Sequence, residues 1–403
     1  ETLFVYATNK KAVETILKEL KLVRQSQGFE EVSLWKNEER LKTKNIKPED
    51  LLIPSYRTTD KKLTDLPPNK IIKFRMSKAN LELLKLYFQL MPVEKFLIEY
   101  QTDFETYSDL RKIIINSNNY ITVDETRNYK DISMLIKSLI SYLNTKLEEY
   151  DGFIPVNDKI VHFRKIKVRS DFKDDFVKTA EEVREAIEIN EDELYKKIKS
   201  GEITIEEFKD IIAKKNKLIK EFEGVKLQKL IQHYYIPIIY AKDKIEWIKH
   251  IIDVPSEYDF INTLVKNIDE IEKNYDWWMF SKLDEHLDTE VYIPYTSNGK
   301  LRKFIPDFIF WLFKNDEYTI LFIDPKGSAH TDYLDKIAGY EAIFRENNNE
   351  KIFKLKNGLK VKVKLKLYTS GNRNEITGSN YKDINDYWID KDNFLDAFEI
   401  DNS

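Results

Sequence analysis

Two apolar segments, at residues 304–313 and 318–323, are joined by a polar stretch at 314–317. Both segments are rich in Phe, Ile, Trp and Leu and are short enough to be β-strands. Each is accompanied by a single aspartate, Asp307 within the first and Asp324 directly after the second. The pattern predicts a β-hairpin that carries two carboxylates in an apolar setting.

The length of the loop decides whether these carboxylates meet. A loop with an even number of residues puts Asp307 opposite Asp324, and opposed side chains share a face with Cβ atoms about 4.5–5.5 Å apart. Lys326 lies on the same face as Asp324 because strand side chains alternate. An odd loop would place the two aspartates on opposite faces. The even register therefore predicts that two carboxylates and one ammonium converge.

Two such carboxylates repel each other, so one takes up a proton or a cation lies between them. Mg²⁺ prefers oxygen ligands and typically uses one or two carboxylates. A bound ion of this kind can polarise a phosphate, and a neighbouring lysine can stabilise developing negative charge. The alternative is a plain salt bridge between Asp324 and Lys326 on a half-exposed sheet.

The order Pro306-Asp307 followed by Asp324-Pro325-Lys326 resembles the PD-(D/E)xK nuclease signature. Over about residues 231–370 the chain also resembles the C-terminal nuclease region of type III restriction enzymes and related helicase–nucleases. The segments that carry this resemblance are SEYDFI at 256–261, WWMFSKLDE at 277–285, IPY at 293–295 and FIDPKGSAHTDY at 322–333. The resemblance implies Mg²⁺-dependent cleavage of DNA, with Mn²⁺ able to substitute. It makes Asp307 and Asp324 metal ligands and Lys326 the catalytic lysine.

Nucleases of this kind usually bring a further acid from a preceding helix. Glu257, in the pattern Glu257-x-x-Phe260, is the preferred candidate for this third catalytic carboxylate. Glu285, at the end of the WWMFSKLDE segment, is the second candidate. Glu290 is the third, because a turn at residues 298–299 could place it across from Asp307 on the other neighbouring strand. All three alternatives stay open at the level of sequence.

Several residues near the predicted site are candidates for DNA contact. His330 could contact the scissile phosphate or cap the following helix, and three basic residues lie close to the turn at 298–299. In many relatives a glutamine and a tyrosine hold the spacing that Lys336 and Tyr340 have here, so Lys336 departs from the family pattern. The predicted DNA-binding residues are His330, Lys336, Tyr340, Lys300, Arg302 and Lys303.

Composition limits the possible classes of protein. The chain has no cysteine, which excludes disulfides and thiolate metal sites. Its formal charge is −4, so DNA contact would have to come from local basic patches. No apolar run of 18 residues is present, and we expect no membrane association. The resemblance implies a location in a bacterial or archaeal cytoplasm.

The predicted fold class is α/β. Residues 231–403 would form a restriction-endonuclease-like core, a mixed central sheet flanked by helices. Residues 1–170 would form a mixed α/β linker region, and 171–230 a charged helical insertion or spacer. The sequence lacks a phosphate-binding G-x-x-x-x-G-K-[ST] loop and begins without Met, so we expect it to be the tail of a longer polypeptide. ATP would then act only through an upstream helicase motor absent from this chain.

Local patterns give further expectations. Ser77 should cap a helix over 78–90, and Thr204 with Glu207 should form a capping box. Residues 256–280 read as helix. Lysines alternate with apolar residues at 360–367, which predicts either a phosphate-binding face or a lysine-protected edge strand.

The function that follows is a Mg²⁺-dependent DNA endonuclease domain. It would be the C-terminal part of a type III-like restriction or phage-defence helicase–nuclease, whose partners are DNA and a methyltransferase or specificity subunit. A repair or recombination nuclease with the same site is one alternative. A catalytically silent DNA-binding or assembly module is another.

Overall fold

The structure is a computed structural model that describes most of the chain. The described residues are 28–35, 46–47, 50–65, 73–157, 159–161, 165–188, 191–216, 219–228, 230, 237–297, 300–325, 333–373 and 382–400. Lys326 and His330 therefore lie outside the described residues. Among the helices in these ranges, none is long and apolar enough to cross a membrane.

The first part of the chain contains a mainly helical module, residues 73–147, preceded by two strands. The elements in chain order are β1 (Phe29–Val32), β2 (Leu52–Lys62), β3 (Phe74–Met76), α1 (Lys78–Leu90), α2 (Val93–Tyr100), α3 (Phe104–Ile115), α4 (Ser117–Tyr120), β4 (Ile121–Val123) and α5 (Ile132–Asn144). As predicted, α1 begins after Ser77, whose side chain accepts a hydrogen bond from the Asn80 backbone N–H. Strands β3 and β4 pair in parallel within the module.

The middle of the chain combines small antiparallel sheets with charged helices. Its elements are β5 (Lys146–Pro155), β6 (Ile166–Arg169), α6 (Lys173–Glu188), α7 (Glu191–Ser200), α8 (Ile205–Asn216), β7 (Ile219–Phe222), β8 (Val225–Gln228), β9 (Ile238–Ala241) and β10 (Ile248–Lys249). The long strand β5 pairs with β2 as a two-stranded ribbon. The capping box is confirmed, because Thr204 and Glu207 exchange side-chain-to-backbone hydrogen bonds.

The last part of the chain contains the largest sheet. Its elements are α9 (Pro255–Asn274), β11 (Trp277–Lys282), β12 (Ile293–Ser297), β13 (Lys300–Phe304), β14 (Phe308–Lys314), β15 (Glu317–Pro325), α10 (Tyr333–Phe344), β16 (Arg345–Glu346), β17 (Asn349–Glu350), β18 (Phe353–Lys354), β19 (Lys360–Tyr368) and β20 (Trp388–Ile389). The central sheet has the order β11-β14-β15-β19-β18, with β20 beside β19. It is mixed, because β15 pairs antiparallel with β14 and parallel with β19. The α/β class with a mixed sheet is therefore confirmed.

The predicted hairpin is present with the predicted register. Phe313 pairs with Tyr318, and the pairing continues to Phe308 opposite Ile323. The turn residues Asn315 and Asp316 both have positive φ, 50° and 62°, which is the geometry of a type I′ hairpin turn. The even loop thus places residues 307 and 324 across from each other, one position beyond the last paired residues.

Both faces of the hairpin are covered, which explains its nearly continuous apolar sequence. On one face, Phe260 of α9 packs against Phe308 with ring centroids 4.6 Å apart. On the other face, the indole N–H of Trp311 donates to the carbonyl of Leu52. The Tyr318 hydroxyl donates to the carbonyl of Asp50. The hairpin is consequently the centre of the main hydrophobic core.

Two sequence-based expectations need correction. The helix expected over 256–280 ends at Asn274, and the tryptophans that follow belong to β11, which pairs with β14. Strand β19 lies inside the sheet and is not an edge strand, and three of its four lysines are paired within the chain, whereas Lys360 is exposed. The carboxylate of Glu399 bridges Lys362 and Lys364, and Lys366 donates to the carbonyl of Asp386. Glu399 and Asp386 both belong to the segment 382–400, so this segment compensates the charge of these three lysines.

Hydrophobic contacts divide the described residues into two cores. One core lies entirely inside the helical module, between Phe74 and Leu147. The other runs from Val32 to Ile400 and includes the central sheet. Phe176 and Ala180 of α6 belong to this second core, so the charged helix is anchored on the main body.

Candidate functional site

The paired aspartates lie at one end of the central sheet. Asp307 directly precedes β14, and Asp324 is at the end of β15, where its side chain is fully buried. The backbone N–H of Asp307 points at the Oδ1 atom of Asp324, with an N–O separation of 3.4 Å. The backbone of Asp307 is also fixed from the other side, because its carbonyl accepts a hydrogen bond from Leu283 at 2.7 Å. The hairpin register therefore brings these two residues together.

A buried lysine lies between two of the acids. The Nζ atom of Lys282, the last residue of β11, is 3.1 Å from Oδ1 of Asp307 and 3.1 Å from Oε1 of Glu257. The side chains of Lys282 and Glu257 are 8% and 9% exposed, against 20% for Asp307. Glu257 thus joins the site from the first turn of α9.

Electrostatics keep this lysine charged. Burial by itself would lower the pKa of Lys282, but the carboxylates of Asp307 and Glu257 outweigh it and raise the pKa above its ordinary value. The Nζ atom also lies 5.3 Å from the ring centroid of Phe308, a distance at which a cation–π attraction contributes. The cluster is a cation held by two converging carboxylates, with a further buried carboxylate at Asp324.

Helix α9 holds Glu257 in place through contacts with the sheet. The hydroxyl groups of Thr263 and Tyr368 are 2.9 Å apart, which links the third turn of α9 to the end of β19. Phe260 packs on the rings of Phe308 and Tyr368, at 4.6 and 5.3 Å between centroids. Because Phe260 is three residues after Glu257, the same face of the helix supplies both the packing and the carboxylate.

The two other acids proposed from the sequence lie elsewhere. Glu285 has a side chain that is 77% exposed and contacts His286. Glu290 is also exposed and forms an ion pair with Lys159. The prediction that Glu290 lies across from Asp307 is wrong, because the strand next to β14 is β11 and not the segment that carries Glu290. Of the three alternatives, the structure places Glu257 beside the aspartates.

The residues expected to contact DNA are spread over two elements. Tyr340 is buried in α10 and donates its hydroxyl to the carbonyl of Val363, so its position is that of a core residue. The ammonium of Lys336 lies 4.6 Å from the ring centroid of Phe304, and that of Lys303 lies 4.0 Å from that of Tyr292. Lys300 and Arg302 are exposed on β13, in the separate hairpin formed by β12 and β13.

The donor chemistry of the cluster suits a hard divalent cation. Carboxylate oxygens are the ligands that such a cation prefers, and two of the carboxylates, those of Glu257 and Asp307, converge on a positive charge, the Lys282 ammonium. Within the described residues, no group of three His, Cys, Asp or Glu side chains is arranged to hold a metal ion. Lys282 occupies the space between Glu257 and Asp307. The two carboxylates that the sequence predicts as metal ligands are a different pair, Asp307 and Asp324.

Comparison with known proteins covers the same part of the chain. Residues 248–391 match the model of the YagJ family. The match spans all four residues of the cluster: Glu257, Lys282, Asp307 and Asp324. Searches of curated proteins and of solved structures returned no significant match.

Lys282 is the residue that the sequence interpretation missed. The signal was present, because Lys282 follows the apolar run of residues 277–280 after a single serine, Ser281. Assigning that run to a helix removed it from the sheet. Recognised as a strand beside β14, the same run would have placed Lys282 next to Asp307.

Proposed function

We propose that this chain carries a metal-dependent DNA nuclease site of the PD-(D/E)xK kind, on a restriction-endonuclease-like core. The observation that supports it most is the meeting of Asp307 and Asp324 at the end of a mixed sheet, with Glu257 supplied by the preceding helix. The sequence signature Pro306-Asp307 and Asp324-Pro325-Lys326 supports the same function.

In the proposed mechanism, Asp307 and Asp324 would hold a Mg²⁺ or Mn²⁺ ion, which would supply Lewis acidity at the scissile phosphodiester. In the hydrolysis a water oxygen bonds to phosphorus, the bond from phosphorus to the leaving sugar oxygen breaks, and the proton that the water loses ends on that sugar oxygen. The Lys282 ammonium contacts Glu257 and Asp307 at 3.1 Å and keeps its proton because its pKa is raised, so this lysine would fix the positions of the two carboxylates. Lys326 keeps the role of catalytic lysine that the signature implies.

Lys282 has a specific part in this proposal. Its ammonium compensates the charge of Glu257 and Asp307 when no metal is bound, because two buried carboxylates without a cation would be unstable. A metal ion could then bind Asp307 only if the Lys282 ammonium shared this carboxylate with the ion or moved away from it. Before substrate binds, Lys282 thus holds the carboxylates of Glu257 and Asp307 close to each other.

A second candidate function rests on the same contact. If Lys282 replaces the metal permanently, the cluster is a structural ion pair and the domain is a silent DNA-binding or assembly module. The salt-bridged geometry of Glu257, Lys282 and Asp307 is the observation that favours it. This candidate predicts no binding of divalent metal at the cluster.

The wider setting belongs to the proposal as well. By resemblance, the chain would be the C-terminal part of a type III-like restriction or phage-defence helicase–nuclease in a bacterial or archaeal cytoplasm. A methyltransferase or specificity subunit would then provide sequence recognition, and an upstream motor would use ATP. A repair or recombination nuclease could use the same site with other partners.

The test is cleavage of supercoiled plasmid and linear DNA with Mg²⁺, with Mn²⁺ and with EDTA. We expect metal-dependent cutting that Asp324→Asn and Glu257→Gln abolish. Glu285→Gln is the matched control, because it neutralises an exposed acid of the same region, and it should cut normally. Cutting that survives Asp324→Asn would contradict the proposed site, and absence of both cutting and metal binding would favour the silent module.

A further inference from the structure

Helix α1 of the helical module has a second apolar stripe besides the one that packs into the core. The residues of its inward side are buried, and they are Asn80, Leu81, Leu84 and Phe88. Leu83, Leu86 and Leu90 are 46%, 51% and 73% exposed. With 3.6 residues per turn, these three leucines lie on the side of the helix opposite to the buried residues.

The exposed stripe has the spacing of a coiled-coil seam. Ala79 is exposed as well, and from Ala79 the leucines follow at steps of four, three and four residues. Alternating steps of three and four are the heptad pattern that keeps one apolar seam in contact with a neighbouring helix. The outward face of α1 is therefore patterned to pack against a second helix. We call Ala79, Leu83, Leu86 and Leu90 the α1 seam.

Exposed apolar surface is concentrated in this part of the chain. Among the described residues, twelve large apolar side chains are exposed, and eight of them belong to the helical module at 73–147. The module makes up less than a fifth of the 403 residues. Single exposed leucines are ordinary on a protein surface, whereas a row of them on one helix marks an interaction site.

The α1 seam is complementary to itself when two copies of the helix run antiparallel. A two-fold axis across the middle of the helix brings Leu83 of one copy opposite Leu86 of the other. The same axis brings the small Ala79 opposite the large Leu90, so neither end of the seam is crowded or empty. In a parallel pair each residue would face its own copy, and two alanines would leave a gap at one end.

The polar residues beside the seam are compatible with the antiparallel pair. Glu82 and Gln89 flank the leucines on one side, and the two-fold axis places Glu82 of one copy near Gln89 of the other. The charge of Glu82 is already compensated within its own helix, because Lys85 lies 3.1 Å away. Two copies can therefore approach along this face without bringing like charges together.

We propose that this chain forms a symmetric dimer in which the α1 seam packs antiparallel against the α1 seam of a second copy. The occupant of the exposed face is thus another molecule of the same chain. The inference rests on α1 and does not depend on the proposed nuclease function. A seam of four side chains on a helix of 13 residues is smaller than the roughly 800 Å² per partner of a standard interface, so we expect a Kd in the micromolar range.

The first experiment is sedimentation equilibrium of the full chain over a range of concentrations. The seam variants are Leu83→Glu and Leu86→Lys, which put a charge into the seam without touching the buried side of α1. Both new residues favour helices nearly as well as leucine, and circular dichroism checks that the fold is kept. Ile352→Lys is the matched control, because it charges an apolar side chain that is 58% exposed outside the module.

We expect the wild type and Ile352→Lys to change from monomer to dimer as the concentration rises through the micromolar range. Each seam variant should weaken this association at least about tenfold, because a symmetric dimer carries every substitution twice and each buries a charge against leucine.

The second experiment tests the antiparallel orientation by disulfide cross-linking. The chain has no cysteine, so Ala79→Cys and Leu90→Cys each introduce a single thiol. In the antiparallel pair these two positions face each other, whereas residue 79 lies about 16 Å along the axis from its own copy, beyond the reach of a disulfide. Mild oxidation should therefore link a mixture of the two variants into dimers that contain one of each, and neither variant alone should link efficiently.

Three outcomes would overturn the inference. The first is a chain that stays monomeric at concentrations well above the micromolar range, which would leave the seam to another occupant. The second is a dimer whose affinity Leu83→Glu and Leu86→Lys do not reduce. The third is cross-linking of Ala79→Cys with itself as readily as with Leu90→Cys, which would exclude the antiparallel pair.

Discussion

At the scale of single residues, Lys282 has the largest consequence for the site. Its ammonium is buried between Glu257 and Asp307, at 3.1 Å from each. Removing one partner from a buried ion pair is strongly destabilising, because the remaining charges are left uncompensated. The stability of the cluster and its affinity for a metal ion are therefore linked through this one side chain.

The first prediction concerns Lys282→Met. Without metal, we expect it to lower the free energy of unfolding by about 3–5 kcal/mol, because two carboxylates lose their cation. Mn²⁺ should then raise its melting temperature more than that of the wild type, since the ion replaces the lost charge. Differential scanning fluorimetry with and without Mn²⁺ measures both effects.

Lys364→Met is the control for this prediction, because it also removes a buried ammonium but one that pairs with Glu399, outside the cluster. It should be destabilised, and Mn²⁺ should raise its melting temperature only as much as it raises that of the wild type. Equal Mn²⁺ shifts in both variants would show that the ion does not bind at the cluster.

The sequence allowed the two aspartates of the site to be predicted, and the reason is local. A two-residue turn fixes the register of a hairpin, so the opposition of residues 307 and 324 followed from loop length alone. Lys282 could not be placed in the same way, because its position depends on which strand lies beside β14. Which strand becomes the neighbour is decided by tertiary packing, and the apolar run at 277–280 does not specify it.

At the scale of elements, the last segment of the chain is attached to the central sheet by charge. The carboxylate of Glu399 contacts Lys362 and Lys364 of β19 at 2.8 and 3.0 Å. Burial alone would raise the pKa of Glu399, but Lys364 and Lys362 outweigh it, so the pKa lies below its ordinary value. The alternating lysines of β19 thus serve to hold residues 382–400.

The second prediction is a pH dependence with a definite sign. Because the folded pKa of Glu399 is depressed, its stabilisation is complete above about pH 4.5 and is lost as the pH falls through the folded value. Glu399→Gln should therefore reduce stability at pH 7 and flatten the decline between pH 5 and 3. Urea unfolding at several pH values measures this, with Glu31→Gln on an exposed strand position as control. An unchanged acid limb in Glu399→Gln would exclude this role.

The third prediction concerns the contact between α10 and β12. Gly339→Ala would place a methyl group 2.5 Å from the Pro294 carbonyl oxygen and 2.6 Å from Cβ of Tyr295. We expect a loss of about 1–3 kcal/mol from this overpacking, although alanine favours helices. Gly28→Ala is the comparison, because its added carbon would meet only the Arg169 side chain at 4.0 Å. A Gly339→Ala variant as stable as the wild type in urea unfolding would show that the helix can shift.

At the scale of the whole molecule, two hydrophobic cores are joined by a cluster of charges. The core of the helical module is separate from that of the central sheet. Asp335 at the start of α10 is 7% exposed and binds Arg75 and Arg127 of the module. These ion pairs hold the helical module against the start of α10.

The fourth prediction tests that docking. Asp335→Asn removes the charge that compensates two partly buried guanidinium groups, and we expect the module to separate from the main body more readily. Hydrogen exchange should become faster where the module contacts α10, while the centres of both hydrophobic cores stay protected. Asp109→Asn, which removes a half-exposed acid that pairs with Lys112 of the same helix α3, should not change exchange there. Uniform exchange across the molecule would contradict the separate-core arrangement.

The same scale marks the limit of prediction from sequence. Helices such as α1 were found because a capping serine and apolar spacing are local signals. The docking of the module depends on residues 208 to 260 positions apart along the chain, such as Arg127 and Arg75 with Asp335. Nothing in local periodicity indicates that these charges meet, so this ion cluster could not be derived from sequence.

The central claim is that the carboxylates at the end of the hairpin bind a divalent cation for DNA hydrolysis. Titration of Mn²⁺ into the protein by calorimetry tests it most directly, with Asp324→Asn beside the wild type and Glu285→Gln as the matched control. We predict saturable binding in the wild type and the control that is lost in Asp324→Asn. The claim would be contradicted by absence of binding in the wild type, or by equal binding in all three proteins.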